Sequence, residues 1–304
     1  MQELGWNVKC FPVAKERENI FVSFGRPRVL FTTHLDIVPA PTELFTPVIK
    51  DGVLYGRGAC DAKGTAATMI AAAHDLLQLK AKDFGVLLVV GEEVDGIGAC
   101  QAAKDLANEG IDYIVNGEPT EGKLMRAHKG IIDFELVCKG RACHSGYPEL
   151  GIDANLILLE AMNRLQQLNL GNDPIMGKAT LNLGVIRGGV AQNVVSPQSS
   201  VLFSIRTVTP SEHVIEQIKE AVTSLGSLRV LGTTDPVKMM NLPGFENDIA
   251  AYCTDIPNFV PLGAKTLLYG PGSIFDAHTD GEKVTLAQLA DASLGYQKIY
   301  WGLQ

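Results

Sequence analysis

Hydrophobic positions in the first third of the chain come in short continuous runs, without alternation. Val29–Thr33 and Phe84–Val90 are near-continuous apolar stretches of strand length, and Tyr113–Val115 is a shorter one. Runs of this kind mark strands covered on both faces, as in a parallel sheet. Between them, Gly64–Leu79 is rich in Ala and Leu, and Gly98–Asn108 is stopped by Gly110, so each predicts a helix. Strands and helices in alternation predict an α/β unit around a mostly parallel sheet.

The middle of the chain changes period. Ile131–Cys138, Ala179–Val185 and Val201–Val208 alternate or are enriched in β-branched residues. Helices are predicted from about Asp153 to Leu168 and from Thr209-Pro210-Ser211-Glu212 onward; that tetrad combines an N-cap, a proline at the first helical position and a capping-box glutamate. With Leu228–Leu231 as a last short strand, the order β-α-β-β-α-β predicts a ferredoxin-like α+β sandwich. After Pro236 the pattern returns to an apolar strand (Thr266–Tyr269), a glycine loop and a terminal helix (Thr285–Tyr300). The expectation is a discontinuous larger domain over 1–126 and 236–304, with a small domain inserted over 127–235.

Composition narrows the functional classes. Hydrophobic residues make up 46% and charged residues 20%, so the chain buries a core and is not disordered. A net charge of −8 without a basic tract argues against nucleic acid and anionic membrane surfaces as partners. No apolar run approaches the ~18 residues that cross a bilayer, and the first residues show no secretion signal. Six scattered cysteines with no Cys-x-x-Cys pair predict reduced thiols in a cytoplasm and no thiolate metal site.

Five short segments place metal-type ligands at strand ends or just beyond them, where open α/β sheets bind their ligands. They are His34-Leu35-Asp36, Asp61 after Gly56-Arg57-Gly58, Glu92-Glu93, Glu118 within Gly117-Glu118-Pro119-Thr120, and His278. Singly, each is an ordinary surface or turn residue; the coincidence is that the apolar strands 29–33, 84–90, 113–115 and 266–269 each run into an acid or histidine within about ten residues. Two imidazoles and three carboxylates suit zinc, and five ligands exceed what one tetrahedral ion needs. A pair of ions sharing a carboxylate, about 3.5–4 Å apart as in two-metal hydrolases, satisfies the count. Three carboxylates against two divalent ions leave a positive excess for an anionic substrate. Asp36, two residues from His34, is expected to fix the imidazole tautomer. Gly56-x-Gly58-x-x-Asp61 has an acid where a dinucleotide loop needs its third glycine, and Lys63-Gly64-Thr65 has the phosphate-loop letters in the wrong order, so nucleotide binding is not expected.

These motifs, in order and over essentially the whole chain, resemble the co-catalytic zinc amidohydrolases, the family of acetylornithine deacetylase, succinyl-diaminopimelate desuccinylase, aminoacylase and glutamate carboxypeptidase. The resemblance implies that Asp61 bridges two zinc ions, with His34 and Glu118 completing one site and Glu93 and His278 the other; cobalt could substitute. It implies Glu92 as general base, a cis peptide at Asp61–Ala62, and a lid and dimerisation role for the insert. His144 in Cys-His-Ser-Gly would reach the partner subunit's site, and Asn193 and Arg206 would bind the substrate carboxylate, although Ser204 stands where the family carries an acid. Gly272 and Ser273, in Gly270-Pro271-Gly272-Ser273, look most like the carboxylate loop of the acetylornithine deacetylases. Family members also carry a largely helical stretch before the first strand; this chain opens at Gln2–Leu4 and breaks at Gly5. The expected activity is release of acetate from an N-acyl amino acid of the N-acetylornithine type by a homodimer. Alternatives are a desuccinylase, a dipeptidase or carboxypeptidase of the same family, or a catalytically silent metal-binding dimer.

Overall fold

Four apolar runs become neighbouring parallel strands: Phe84–Val89, Val29–His34, Tyr113–Asn116 and Lys265–Leu268, in that spatial order. In the computed structural model, which describes residues 1–304, every residue of the first two is buried, which is why those runs show no alternation. An antiparallel hairpin, Lys9–Ala14 with Arg17–Phe24, extends the sheet beyond Phe84–Val89. No apolar run announced it, because its outer strand is an edge that carries Pro12 and is mostly exposed.

Helices Lys63–Gln78 and Leu286–Gly302 share one core with that sheet. Met69, Ala72 and Leu76 from the first meet Tyr296, Ile299 and Tyr300 from the second, over Phe31 and Phe84. The Tyr296 ring stands edge-on to Phe31 at 5.5 Å, and its hydroxyl donates to the Tyr269 carbonyl at 2.7 Å. Thr285 and Gln288 form a capping box that starts the last helix. This unit comprises Met1–Arg126, Lys238–Ala250 and Thr254–Gln304.

The second unit, Ala127–Val237 with Ala251–Cys253, is a four-stranded antiparallel sheet in the order Thr180–Gly188, Gln198–Thr207, Gly130–Lys139, Ser227–Thr234. Alternate residues of Gly130–Lys139 are buried. Helices Ala154–Gln167 and Ser211–Val222 cover that face, so that Leu158, Leu165, Val214 and Ile218 pack with Phe134 and Phe203. The chain is therefore an α/β protein carrying a ferredoxin-like insert.

One expected signal fails. The helix at Ser211 has Pro210 in its capping position and no side-chain cap, so no capping box forms at Thr209. The Thr207 hydroxyl instead donates to the Thr209 carbonyl and accepts from its amide, which turns the chain one residue later than the tetrad suggests. Asp235 takes over, accepting from the Ser211 amide at 2.8 Å. No helix is long and apolar enough to cross a membrane.

Candidate functional site

The candidate ligands sit where the four parallel strands end. His34 closes its strand, and Glu92-Glu93, Glu118 and the Gly270–His278 segment follow the other three. Asp61 comes from the loop that enters helix Lys63–Gln78, and its peptide with Ala62 is cis. Gly64 lets that loop fold over the helix start, because a Cβ there would collide with the Ala59 carbonyl. Gly272, with φ at +75°, does the same on the opposite side: a Cβ would lie 2.6 Å from that of Cys60.

The two oxygens of Asp61 face two different histidines. Oδ1 is 2.9 Å from His34 Nε2, and Oδ2 is 3.3 Å from His278 Nε2. Around the first histidine lies Glu118, with Oε1 at 4.0 Å; around the second lies Glu93, with Oε1 at 3.1 Å. The structure thus brings all five candidates together as two half-sites sharing one carboxylate. Ligand-type atoms of His34, Asp61 and Glu93 lie within 4.8 Å of one another. Glu118 Oε1 is buried and has no hydrogen-bond partner. An orphaned carboxylate oxygen beside an imidazole and a second carboxylate fits a cation site, because burying it without a counter-charge is unfavourable.

The electrostatics describe the same deficit of positive charge. Burial pushes Glu92 up to about 8, helped by Asp255, Glu93 and Asp61 and opposed by His34. Burial likewise raises Glu118 well above the usual carboxylate range, with Glu92 adding to it. Burial alone would lower His34, but its bond to Asp61 and the charges of Glu118 and Glu92 hold it well above its ordinary value. His278, bonded to Asp61, is raised to about 9 against the effect of burial. Although burial works against ionisation of Asp61, the bonds from His278 and His34 keep it below the ordinary value.

Asp36 works by a different route from the expected one. Its carboxylate is 3.7 Å from His34 Nδ1, beyond hydrogen-bond reach, and the Asp36 carbonyl holds that nitrogen at 3.1 Å. The carboxylate instead accepts from the amides of Gly91 (2.9 Å), Glu92 (3.3 Å) and Glu93 (3.1 Å). It clamps the turn that carries both adjacent glutamates.

Three buried charged residues escaped the sequence analysis: Arg57, Asp255 and Glu282. Burial raises Asp255 to about 7, with His34 pulling it down and Asp36 pushing it up. Glu282 lies four residues beyond His278, and Arg57 is the centre of Gly56-Arg57-Gly58. In the glycine loop, the Ser273 hydroxyl donates to Glu121 Oε1 at 2.7 Å.

In the insert, His144 and Asn193 are exposed and close together. His144 bridges Val194, and the Ser145 amide donates to the Asn193 carbonyl at 3.0 Å. Arg206 is half-buried and donates to Cys253 Sγ at 3.6 Å, a neighbour in place of the missing acid. The structure separates it from the other two. Lys139, just before the His144 loop, pairs with Gln198, whereas Arg206 pairs with Ile131 at the far end of the same strands. At ~3.3 Å per residue, the stretch from Gln198 to Arg206 spans about 26 Å.

Residues 30–300 match the model of Peptidase family M20/M25/M40. The chain belongs to that family. It is 36% identical over 293 residues to a peptidase M20 domain-containing protein of Schizosaccharomyces pombe, covering 93% of this chain and 72% of that one. It is also 36% identical over 331 residues to an Aspergillus clavatus protein named a probable carboxypeptidase, covering 95% and 73%. A tripeptidase from Staphylococcus aureus shares the fold with a TM-score of 0.79 at 20% identity, over 98% of this chain and 89% of the other. The YXEP protein of Bacillus subtilis, described as a dinuclear metal binding peptidase, superposes with a TM-score of 0.65 at 16% identity, over 96% and 87%. The chain is a hydrolase of the M20/M25/M40 family.

Proposed function

We propose that this hydrolase is a two-metal peptidase that cleaves the amide bond beside a free carboxylate, in a dipeptide or at a peptide C-terminus. The observation that carries the reading is the division of Asp61 between His34 and His278, each with its own glutamate. The names of the relatives favour a carboxypeptidase over the N-acetylornithine deacetylase suggested by the motifs. His34, Asp61 and Glu118 would hold one divalent ion, and His278, Asp61 and Glu93 the other, with zinc as the first choice for such donors. Two ions held there would acidify water and polarise the amide carbonyl.

The remaining steps fall to the chain. Glu92, clamped through its amide by Asp36 and given a high proton affinity by burial, takes a proton from the attacking water. The water oxygen bonds to the carbonyl carbon, the carbon–nitrogen bond breaks, and Glu92 returns its proton to the departing amine. Arg206 offers a planar guanidinium for a substrate carboxylate. With His144 and Asn193 at the opposite end of the insert sheet, the reading assigns those two to the active site of a second copy in a homodimer, where His144 would face the developing oxyanion.

Purified protein supplied with zinc or cobalt should release free amino acid from a panel of dipeptides and short peptides, and C-terminal amidation should abolish that release. Acetate from N-acetylornithine with peptides left intact would return the deacetylase reading. No turnover of either class would leave a metal-binding protein without this chemistry.

A further inference from the structure

Outside the ligand set, one pair of opposite charges is buried as deeply as His34, Asp61 and Glu118. The side chains of Arg57 and Glu282 are 3% and 0% exposed, with Nη1 and Oε2 at 2.7 Å. The other carboxylate oxygen, Oε1, accepts from the backbone amides of Cys60 and Asp61, each at 3.1 Å. The Glu282 carbonyl accepts from the Gly56 amide at 3.1 Å. One residue therefore holds both ends of the Gly56–Asp61 loop, and it lies four residues beyond His278.

We propose that Glu282, neutralised by Arg57, is the positioning residue for Asp61: it fixes the backbone so that the Asp61 carboxylate spans both half-sites, and ties that loop to the segment bearing His278. The assignment rests on the two-metal reading above. Glu282 is not a sixth ligand, because Oε2 is engaged by Arg57 and Oε1 by two amides. Nor does stability account for the pair. Replacing a buried ion pair by apolar groups of similar size is commonly neutral or stabilising, and here Arg57 Nε is buried without an acceptor. What the pair secures is geometry. Asp61 must keep Oδ1 and Oδ2 near 2.9 and 3.3 Å from imidazoles on opposite sides, and a small rotation of its backbone would surrender one of them.

The test uses the full chain and zinc alone, with binding measured by competition against a chromophoric chelator and by elemental analysis. Glu282→Gln should remain folded and bind zinc 10–100-fold more weakly, the usual consequence of losing a partner that orients a ligand. Arg57→Lys keeps a cation within reach of Oε2 and leaves Glu282 intact, so its affinity should stay within about tenfold of wild type. Arg57→Met combined with Glu282→Gln removes both charges, tolerates burial better than the single variant, and should show the same weakened binding. Either Glu282 variant, folded and binding two zinc ions with wild-type affinity but with a lowered Tm, would overturn the assignment and make the pair merely structural. A wild-type chain that takes up no zinc would instead sink the two-metal reading.

Discussion

The two units treat charge in opposite ways. The larger one buries His34, Arg57, Asp61, Glu118, Asp255 and Glu282, all within or beside the loops at one end of its parallel sheet. The insert buries no aspartate, glutamate, lysine or arginine; its one buried titratable group besides Cys138 is His128. Its interior is apolar, with Phe134 stacked on Phe203 at 4.8 Å, and His144 and Asn193 stand exposed outside its regular strands and helices. Desolvating so many charges is strongly unfavourable unless counter-charges arrive. The larger unit is built around a reaction, and the insert around its own packing.

The sharpest way to break that contrast is at Glu92. Glu92→Gln should preserve fold and metal content and lower kcat by 10²–10⁴, the usual range for removing a general base. Steady-state kinetics on a dipeptide with saturating zinc, alongside elemental analysis, checks it. Near wild-type kcat would mean that another group takes the proton, with Asp255 the next buried acid in line.

The complementary change lies in the insert core. Phe134→Ala or Phe203→Ala removes half of a stacked pair and leaves a cavity, so unfolding should become easier by roughly 3–5 kcal/mol. Chemical denaturation measures this. Zinc bound per folded chain should not change. A variant that kept its stability but lost zinc would erase the division of labour between the units.

How much of this was legible in the sequence follows the same division. The ligand loops announced themselves because residue type and position after a buried strand are both local properties, as at His34 and Glu118. Glu282 and Arg57 were not legible, since their meaning depends on a contact 225 residues apart in the chain. Asp36 was found for its spacing from His34, yet its carboxylate works on the Gly91–Glu93 amides, a partner chosen by the fold. In the insert, strand alternation gave the β-α-β-β-α-β order, but the placement of Arg206 far from Asn193 emerged only once Gly130–Lys139 and Gln198–Thr207 were paired.

That separation leads to a smaller but cleaner measurement. If His144 serves a second copy, His144→Ala and Glu92→Gln chains, each inactive, should rescue each other after subunit exchange. Random exchange makes about half the dimers mixed, each with one intact site of two, so activity should approach about a quarter of wild type. Exchange proven by differential labelling with no recovery would confine His144 to its own chain and remove the dimer from the mechanism.

The smallest expected effect concerns the start of helix Ser211–Val222. The tetrad Thr209-Pro210-Ser211-Glu212 predicts that the Thr209 hydroxyl caps the helix, in which case its loss should cost about 1 kcal/mol. In the structure that hydroxyl is buried with no partner, and Asp235 holds the Ser211 amide. Thr209→Val should therefore be neutral or slightly stabilising, since it replaces an unsatisfied buried hydroxyl by a methyl group of the same shape. Asp235→Ala should destabilise by about 1 kcal/mol, because the amide loses its acceptor at the end of the helix where anionic groups are favoured. Paired thermal melts of the two variants decide between sequence pattern and fold. Destabilisation by Thr209→Val with no effect of Asp235→Ala would put the cap back where the pattern has it and would undo the turn assigned here to Thr207.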